Sequence, residues 1–169
     1  EITTFKNLVN EKGSDSSALD NMIEILVKGG INTFRALRMV LPPAWQNIHM
    51  MDPEIKSFHE YNSMHMEAWD GPAGIVMSDG RWAICLLDRN GLRPARYQID
   101  NEGYVTIASE IGVFPQDESN FITKGRIGAG GIFAIDTETG ELIDQSIIDN
   151  KLKEGKPYRA WLRSKAKYL

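Results

Sequence analysis

Two apolar runs near the middle of the chain form its clearest pattern. They read GIVMS and WAICLLD and lie on either side of Asp79-Gly80. Two-residue hairpin turns favour this residue pair because both turn positions need a positive φ. Neither run alternates cleanly between apolar and polar residues, which is typical of strands covered on both faces. We therefore predict a core hairpin, ended by a turn at Asn90-Gly91 and by Pro94, on which the rest of the chain packs.

Apolar residues at helical spacing precede this hairpin and predict three helices. The first follows the small-residue cluster GSDSS, residues 13–17, and stops at Gly29-Gly30. The second runs from Asn32 to Leu41 and ends before two prolines. The third begins at Asp52-Pro53, a cap followed by a first-turn proline. Residues up to about 66 are therefore predicted to be mainly helical, after an irregular start at residues 1–13.

Residues from about 67 to 145 are predicted to form hairpins. The segments ARYQI and YVTIAS flank residues 100–103, and residues 131–136 and 141–143 flank a third turn. Between them, residues 115–120 are predicted as a loop, and the glycine-rich 125–131 as a turn that enters the third hairpin. Two short charged helices, 147–153 and 157–167, lie in a helical exit segment from about 146 to 169. Helices, then antiparallel hairpins, then helices again indicate an α+β fold in a single domain.

Composition narrows the classes of function. The chain has 169 residues, of which 42% are hydrophobic and 25% charged, and a formal net charge of −4. An acidic balance argues against nucleic acid as the main partner. No apolar run reaches membrane-spanning length, so no membrane partner is expected. The single cysteine is typical of a reducing compartment, and we expect a cytoplasmic location.

Most residues with reactive side chains fit structural roles. Cys85 lies within a predicted strand, where a buried thiol is a poor nucleophile. His49, His59 and His65 form no zinc-binding pattern, although His65 could join a polar network with nearby acidic residues. The glycine-rich GRIGAGG fits no phosphate-binding motif and precedes a strand instead of a helix. The charges between residues 151 and 167 fit a solvated helix face.

Asp15 leaves two interpretations open. A carboxylate among small hydroxyl residues at a helix start can accept backbone N–H bonds as an N-cap. It can equally face a pocket and bind the ammonium group of a ligand, a contact worth roughly 1.5–3 kcal/mol. The pattern of residues alone does not decide between the two.

Several long motifs occur together and in order along the chain. They are GSDSSALDNMIEIL, VLPPAWQN, YNSMHMEAWDGPAGIVMSDGRWAICLLDRNGLRPARY, GYVTIASEIGV, KGRIGAGGIFAIDTETGEL and KPYRAWL. Together they resemble the class II glutamine amidotransferase domain of the glutamate synthase large subunit, over nearly the whole chain. Two loops depart from the family pattern, FPQDESNF and GAGG, and both lie away from Asp15 in sequence.

The resemblance implies that the chain is the C-terminal part of a four-layer αββα fold of the N-terminal-nucleophile hydrolase type. It further implies that the cysteine nucleophile, the arginine that holds the substrate carboxylate and the oxyanion-hole Asn-Gly pair lie upstream of Glu1. No residue of this chain is then catalytic. The family aspartate that binds the α-amino group of L-glutamine matches Asp15, and Ser14 and Gly13 shape the same loop.

The resemblance also implies what the whole enzyme would use. FMN and an iron–sulfur cluster would belong to segments beyond Leu169, and this segment would bind neither a cofactor nor a metal. Partners would be the remaining domains of the same large subunit and an electron-donating small subunit or ferredoxin. Ammonia released from glutamine would serve the reductive amination of 2-oxoglutarate. Two alternatives remain: a non-catalytic remnant that serves as an interaction module, and a piece of another class II amidotransferase.

Overall fold

The computed structural model describes residues 8–113 and 117–167, so the predictions for residues 1–7, 114–116 and 168–169 lie outside the described residues. All five predicted helices are confirmed, with ends that differ by a few residues. They are α1 (Asp15–Lys28), α2 (Thr33–Val40), α3 (Pro53–Ser63), α4 (Gln145–Glu154) and α5 (Tyr158–Lys165). Side chains of Asn32, Asp52 and Asp144 accept backbone N–H bonds at the starts of α2, α3 and α4, which is why these helices begin there.

The described strands form two antiparallel sheets. They are β1 (Gly74–Ser78), β2 (Trp82–Leu87), β3 (Ala95–Asp100), β4 (Val105–Ala108), β5 (Phe121–Ile127), β6 (Ile132–Asp136) and β7 (Leu142–Ile143). One sheet has the order β1-β2-β6-β7 and the other β4-β3-β5. The three predicted hairpins are confirmed as β1-β2, β3-β4 and β6-β7. The α+β prediction is therefore confirmed, since antiparallel sheets pack with helices from both ends of the chain.

Strand β5 was not predicted, and the assignment of residues 125–131 to a turn was partly wrong. Residues 125–127 belong to β5, which pairs with β3, and only 128–131 turn into β6. The sequence of β5, FITKGRI, contains a glycine that weakens a strand prediction. Gly125 lies directly against the ring of Tyr97 on β3, and a Cβ at this position would displace that ring. The glycine therefore makes room for a cross-strand aromatic side chain.

The turn of the central hairpin is shifted by one residue from the prediction. Asp79 N donates to Trp82 O, so the two turn residues are Gly80 and Arg81. Gly80 has a φ of 96°. The carboxylate of Asp79 accepts N–H bonds from Arg81 and Trp82, at 3.1 and 2.8 Å, and so closes the turn from the preceding position.

Alternate residues of the central strands pack on opposite layers. Ile84 and Leu86 of β2 belong to the core shared with the helices. Cys85 and Leu87 belong to a second core shared with the three-stranded sheet. The described residues thus form three layers, of helices, four-stranded sheet and three-stranded sheet. β2 is covered on both faces, as its sequence predicted, whereas β1 lies at the sheet edge and leaves Val76 71% exposed.

Candidate functional site

The predicted site residues lie together where α1 begins. Ser14 is the N-cap of α1, and its Oγ accepts the backbone N–H of Ser17 at 3.3 Å. Ser17 Oγ donates back to the carbonyl of Ser14 at 2.8 Å, and the Ser14 and Ser16 hydroxyl oxygens are 2.9 Å apart. These bonds satisfy polar groups that a helix start leaves open. The side chain of Ser14 is therefore held in place by the helix that it caps.

Asp15 is not the N-cap, so that interpretation of its role was wrong. It is the first residue of α1, one position after the cap, because Ser14 already occupies the capping geometry. Its side chain is exposed, and among the described residues the carboxylate has no hydrogen-bond or ion-pair partner. A carboxylate in the first turn is favoured by the helix dipole, which holds it without using its oxygens. Both oxygens of Asp15 are thus open to a ligand.

Gly13 completes a tight turn before the helix. Its N–H donates to Asn10 O at 3.3 Å, and Asn10 N–H donates to Asn21 Oδ1 on α1 at 3.0 Å. A Cβ on Gly13 would collide with Ser17 Oγ and with the side chain of Asn10. Glycine therefore lets the loop fold back closely on the first turns of α1, next to Asp15.

Two shallow cavities adjoin this helix start. A groove of about 250 Å³ runs between α1 and the edge strand β1 and is lined by Ser16, Leu19, Asp20, Ile23 and residues 74–77. A cavity of about 530 Å³ is lined by residues 8–12 and Asn21. Asp15 lines neither of them, but Ser16 is its neighbour in the groove. The described residues therefore place Asp15 on an open surface and do not enclose a substrate around it.

The buried side chain of Asp88 connects two segments of the motifs that carry the family resemblance. Asp88 is 2% exposed, and its carboxylate accepts N–H bonds from Asn90 at 3.0 Å, Ala73 at 3.2 Å and Leu92 at 3.2 Å. Burial acts to raise the pKa of this carboxyl, but these donors outweigh it and hold the pKa below its usual value. The sequence analysis did not predict that Asp88 would be buried and bonded to the backbone. An aspartate two residues before an Asn-Gly pair is nevertheless a recognisable signal for a turn.

The glycine-rich loop, residues 128–131, packs against the same region around Asp88. The N–H of Gly130 donates to the carbonyl of Asp88 at 2.7 Å. Gly130 has a φ of 62°, and a Cβ there would collide with Pro43. The loop thus packs on the paired prolines that follow α2. The segments DRNG, WDGPAG, VLPP and GAGG therefore meet at one place, which we call the motif junction. This junction holds the hairpins against the helical layer and carries no reactive group.

Arg38 is another buried polar residue that sequence reasoning missed. It is 1% exposed, donates from Nη1 to Gly130 O at 2.7 Å, and lies 4.0 Å from Asp149 Oδ1 through Nη2. Burial raises the pKa of Asp149, against the attraction of the guanidinium. His59 lies nearby, and burial together with the Arg38 charge lowers the pKa of His59 to about 3. This cluster therefore places a neutral histidine beside a buried guanidinium and its partly exposed aspartate partner.

The remaining candidates have structural roles. Cys85 is 2% exposed, and burial raises the pKa of its thiol to about 11, so it is a thiol and not a nucleophilic thiolate at neutral pH. The ring of His65 packs on Tyr61, with centroids 4.6 Å apart, and the predicted network with acidic residues is not observed in the described part of the chain. Within residues 8–113 and 117–167, no group of three or more His, Cys, Asp or Glu side chains could hold a metal ion.

No helix in the described part of the chain is long and apolar enough to cross a membrane.

Comparison with known proteins gives a consistent result. Residues 1–161 match the family described as "Glutamine amidotransferases class-II". The chain is 39% identical over 161 residues to a ferredoxin-dependent glutamate synthase of Oryza sativa, which covers 94% of this chain and 10% of that protein. It is 37% identical over 163 residues to the NADH glutamate synthase of Saccharomyces cerevisiae, covering 96% and 8%. The large chain of the NADPH glutamate synthase of Bacillus subtilis is 37% identical over 162 residues, covering 96% and 11%. The chain thus spans about a tenth of the length of these relatives.

Proposed function

The chain belongs to the class II glutamine amidotransferases, and we propose that it is part of the glutamine-hydrolysing domain of a glutamate synthase. Support comes from three relatives with different electron donors in their names, which match nearly all of this chain at 37–39% identity. The domain would release ammonia from L-glutamine for the reductive amination of 2-oxoglutarate. Because the named donors are ferredoxin, NADH and NADPH, these matches do not favour one donor for this chain.

The open carboxylate of Asp15 carries the substrate part of this proposal. A free α-amino acid presents an ammonium group, which an ionised carboxylate binds by a charge-assisted hydrogen bond. Asp15 has such a carboxylate without a partner among the described residues, in a loop whose shape is fixed by Gly13 and by the cap at Ser14. Asp15 would therefore position glutamine through its α-amino group, while Gly13 and Ser14 hold the loop.

The chemical step itself would be carried out by groups outside these residues. Hydrolysis of an amide by covalent catalysis needs an activated nucleophile, and Cys85, the only cysteine of the chain, is buried with a raised pKa. An iron–sulfur cluster needs several cysteine thiolates, so this segment cannot hold one. We place the nucleophilic cysteine, FMN and the iron–sulfur cluster in other segments of the same large subunit. This segment alone would not hydrolyse glutamine.

Membership of the family also supports a proposal for the fold, the partners and the location of the whole enzyme. We propose that the three described layers are part of a four-layer αββα domain of the N-terminal-nucleophile type. They would supply its α, β and β layers, and the second helical layer would come from the rest of the domain. Partners would be the other domains of the large subunit and either a small electron-donating subunit or ferredoxin. The location would be cytoplasmic. No nucleic acid or membrane partner is proposed.

The proposal is tested by ammonia release from glutamine, measured on the full-length protein that contains this segment. We expect Asp15→Asn to lower kcat/KM roughly ten- to a hundredfold, the loss of an ammonium contact of about 1.5–3 kcal/mol. Glu141→Gln is the control, since Glu141 is exposed before β7, away from α1, and its carboxylate has no hydrogen bond or ion pair among the described residues. It should leave kcat/KM unchanged.

Three results would separate the alternatives. Equal activity of the wild type and Asp15→Asn would remove Asp15 from the substrate site. Absence of glutaminase activity in the correctly folded wild type would favour the non-catalytic remnant. Glutaminase activity without glutamate formation from 2-oxoglutarate would favour another class II amidotransferase.

A further inference from the structure

A cavity of about 550 Å³ lies at the end of α1 opposite to Asp15. It opens between the loop that joins α1 to α2, the turn of the central hairpin, and the C-terminal end of α4. We define it as the basic pocket by Arg35, Arg81, Lys151, Lys156, Trp82 and Tyr158, which line it. At 1.5 Å per residue, the length of α1 separates it from Asp15 by roughly 20 Å. The basic pocket is therefore distinct from the proposed glutamine site.

All charged residues that line the basic pocket are cationic, although the chain as a whole carries a net charge of −4. Arg81 is neutralised by Asp136, at 2.8 Å, and by Glu138, at 3.6 Å. Within the described residues, Lys151 and Lys156 have no carboxylate at ion-pair distance. Arg35 likewise has none there and donates Nε to the neutral Asn62 Oδ1 at 3.2 Å. Three cations thus face one concavity with their charge uncompensated, which concentrates a positive potential there.

Aromatic rings contact three of the four cationic side chains of the basic pocket. Lys151 Nζ is 5.7 Å from the centroid of Trp82, and Arg81 Cζ is 5.3 Å from the same ring. Arg35 Cζ lies 5.8 Å from the centroid of Tyr158. Cation–π contacts of this length attract the charged groups to the ring faces and reduce their freedom. Arg35 and Lys151 are therefore partly ordered before a ligand arrives, which lowers the entropic cost of binding.

We propose that the basic pocket binds a small organic polyanion that carries at least two carboxylate or phosphate groups. The volume is within the range of about 300–1,000 Å³ that is usual for small-molecule sites. Two or more anionic groups would pair with Lys151, Lys156 and Arg35, and the half-buried ring of Trp82 would contact the carbon skeleton. A monoanion would leave most of the positive charge uncompensated, so a polyanion is selected over a simple acid.

Hydrogen exchange of the full-length protein tests this site locally. Citrate and pyrophosphate serve as the carboxylate and phosphate probes, at low ionic strength. Either probe should slow exchange in peptides that cover residues 29–35 and 151–158, in a saturable manner. The response to both probes, or to only one of them, identifies the preferred anionic group.

The double variant Lys151→Gln/Lys156→Gln should raise the half-saturating probe concentration about tenfold, and each single variant about threefold. Lys56→Gln on α3 is the matched control, because it removes one positive charge away from the pocket, and it should change nothing. The proposal is overturned if neither probe gives saturable protection of these peptides. It is equally overturned if Lys56→Gln weakens protection as much as the double variant.

Discussion

Replacement of Asp88 by asparagine tests whether the motif junction stabilises the fold as its geometry indicates. Oδ1 of Asp88 accepts from Asn90 N at 3.0 Å, while Oδ2 accepts from Ala73 N and Leu92 N, both at 3.2 Å. Asparagine keeps only one oxygen, so its NH₂ group must face one or two of these N–H donors. A buried donor without an acceptor costs about 1–3 kcal/mol, and the bonds that remain lose their charge.

We therefore expect Asp88→Asn to lower the free energy of unfolding by about 2–4 kcal/mol, as measured by urea unfolding at pH 7. The control is Asp144→Asn, because the Asp144 carboxylate only accepts one N–H bond at the exposed start of α4, and asparagine caps a helix equally well. That variant should lose less than about 0.5 kcal/mol.

The pH dependence gives a second readout for the same variant. The pKa of Asp88 is depressed in the folded protein, so its contribution is full above the unfolded pKa of about 3.9 and is lost as the pH falls through the folded value. The difference in stability between wild type and Asp88→Asn should therefore shrink below about pH 4. A loss under 1 kcal/mol at pH 7, or a difference that does not change with pH, would refute the reasoning.

Three further predictions follow from the described contacts. The pKa of His59 is lowered to about 3 in the folded protein, so unfolding takes up a proton between about pH 3 and pH 6.5. The free energy of unfolding should therefore decline as the pH falls through this range, and His59→Leu should make the decline less steep in urea titrations. Gly130→Ala should cost at least about 1 kcal/mol more than Gly140→Ala in the same assay, since both have a positive φ but only the first Cβ meets a neighbour; equal costs would count against the packing at Pro43. Cys85 should react with iodoacetamide at pH 8 only on unfolding, and rapid labelling of the folded protein would contradict its burial.

Local signals in the sequence were sufficient for the helices. Asp52 caps α3 as predicted, whereas Asn32, predicted as the first residue of the second helix, is the residue that caps α2. The same local reasoning placed Asp15 at a helix start but could not tell which of two adjacent capping residues is the cap. The choice depends on whether Ser14 Oγ reaches the N–H of Ser17, and this is a matter of backbone geometry.

Long-range contacts account for what the sequence did not predict. Strand β5 is recognisable only from its pairing with β3, because its Gly125 is selected by the ring of Tyr97 and not by strand propensity. The sequence indicates only a polar position on a helix at Arg38. Its guanidinium is nevertheless buried and donates to the carbonyl of Gly130, which lies 92 residues further along the chain. The basic pocket likewise combines side chains from distant segments, so no local window reveals its charge.

The central claim, that Asp15 binds the α-amino group of glutamine, is tested most directly by a substrate that lacks this group. Glutaminase activity of the full-length protein would be compared on glutamine and on glutaramic acid, which keeps the carboxylate and the amide. The wild type should prefer glutamine over glutaramic acid in kcat/KM by roughly ten- to a hundredfold. The Asp15→Asn protein should lose most of this preference, because it cannot make the ammonium contact with either substrate. An undiminished preference in the Asp15→Asn protein would contradict the account.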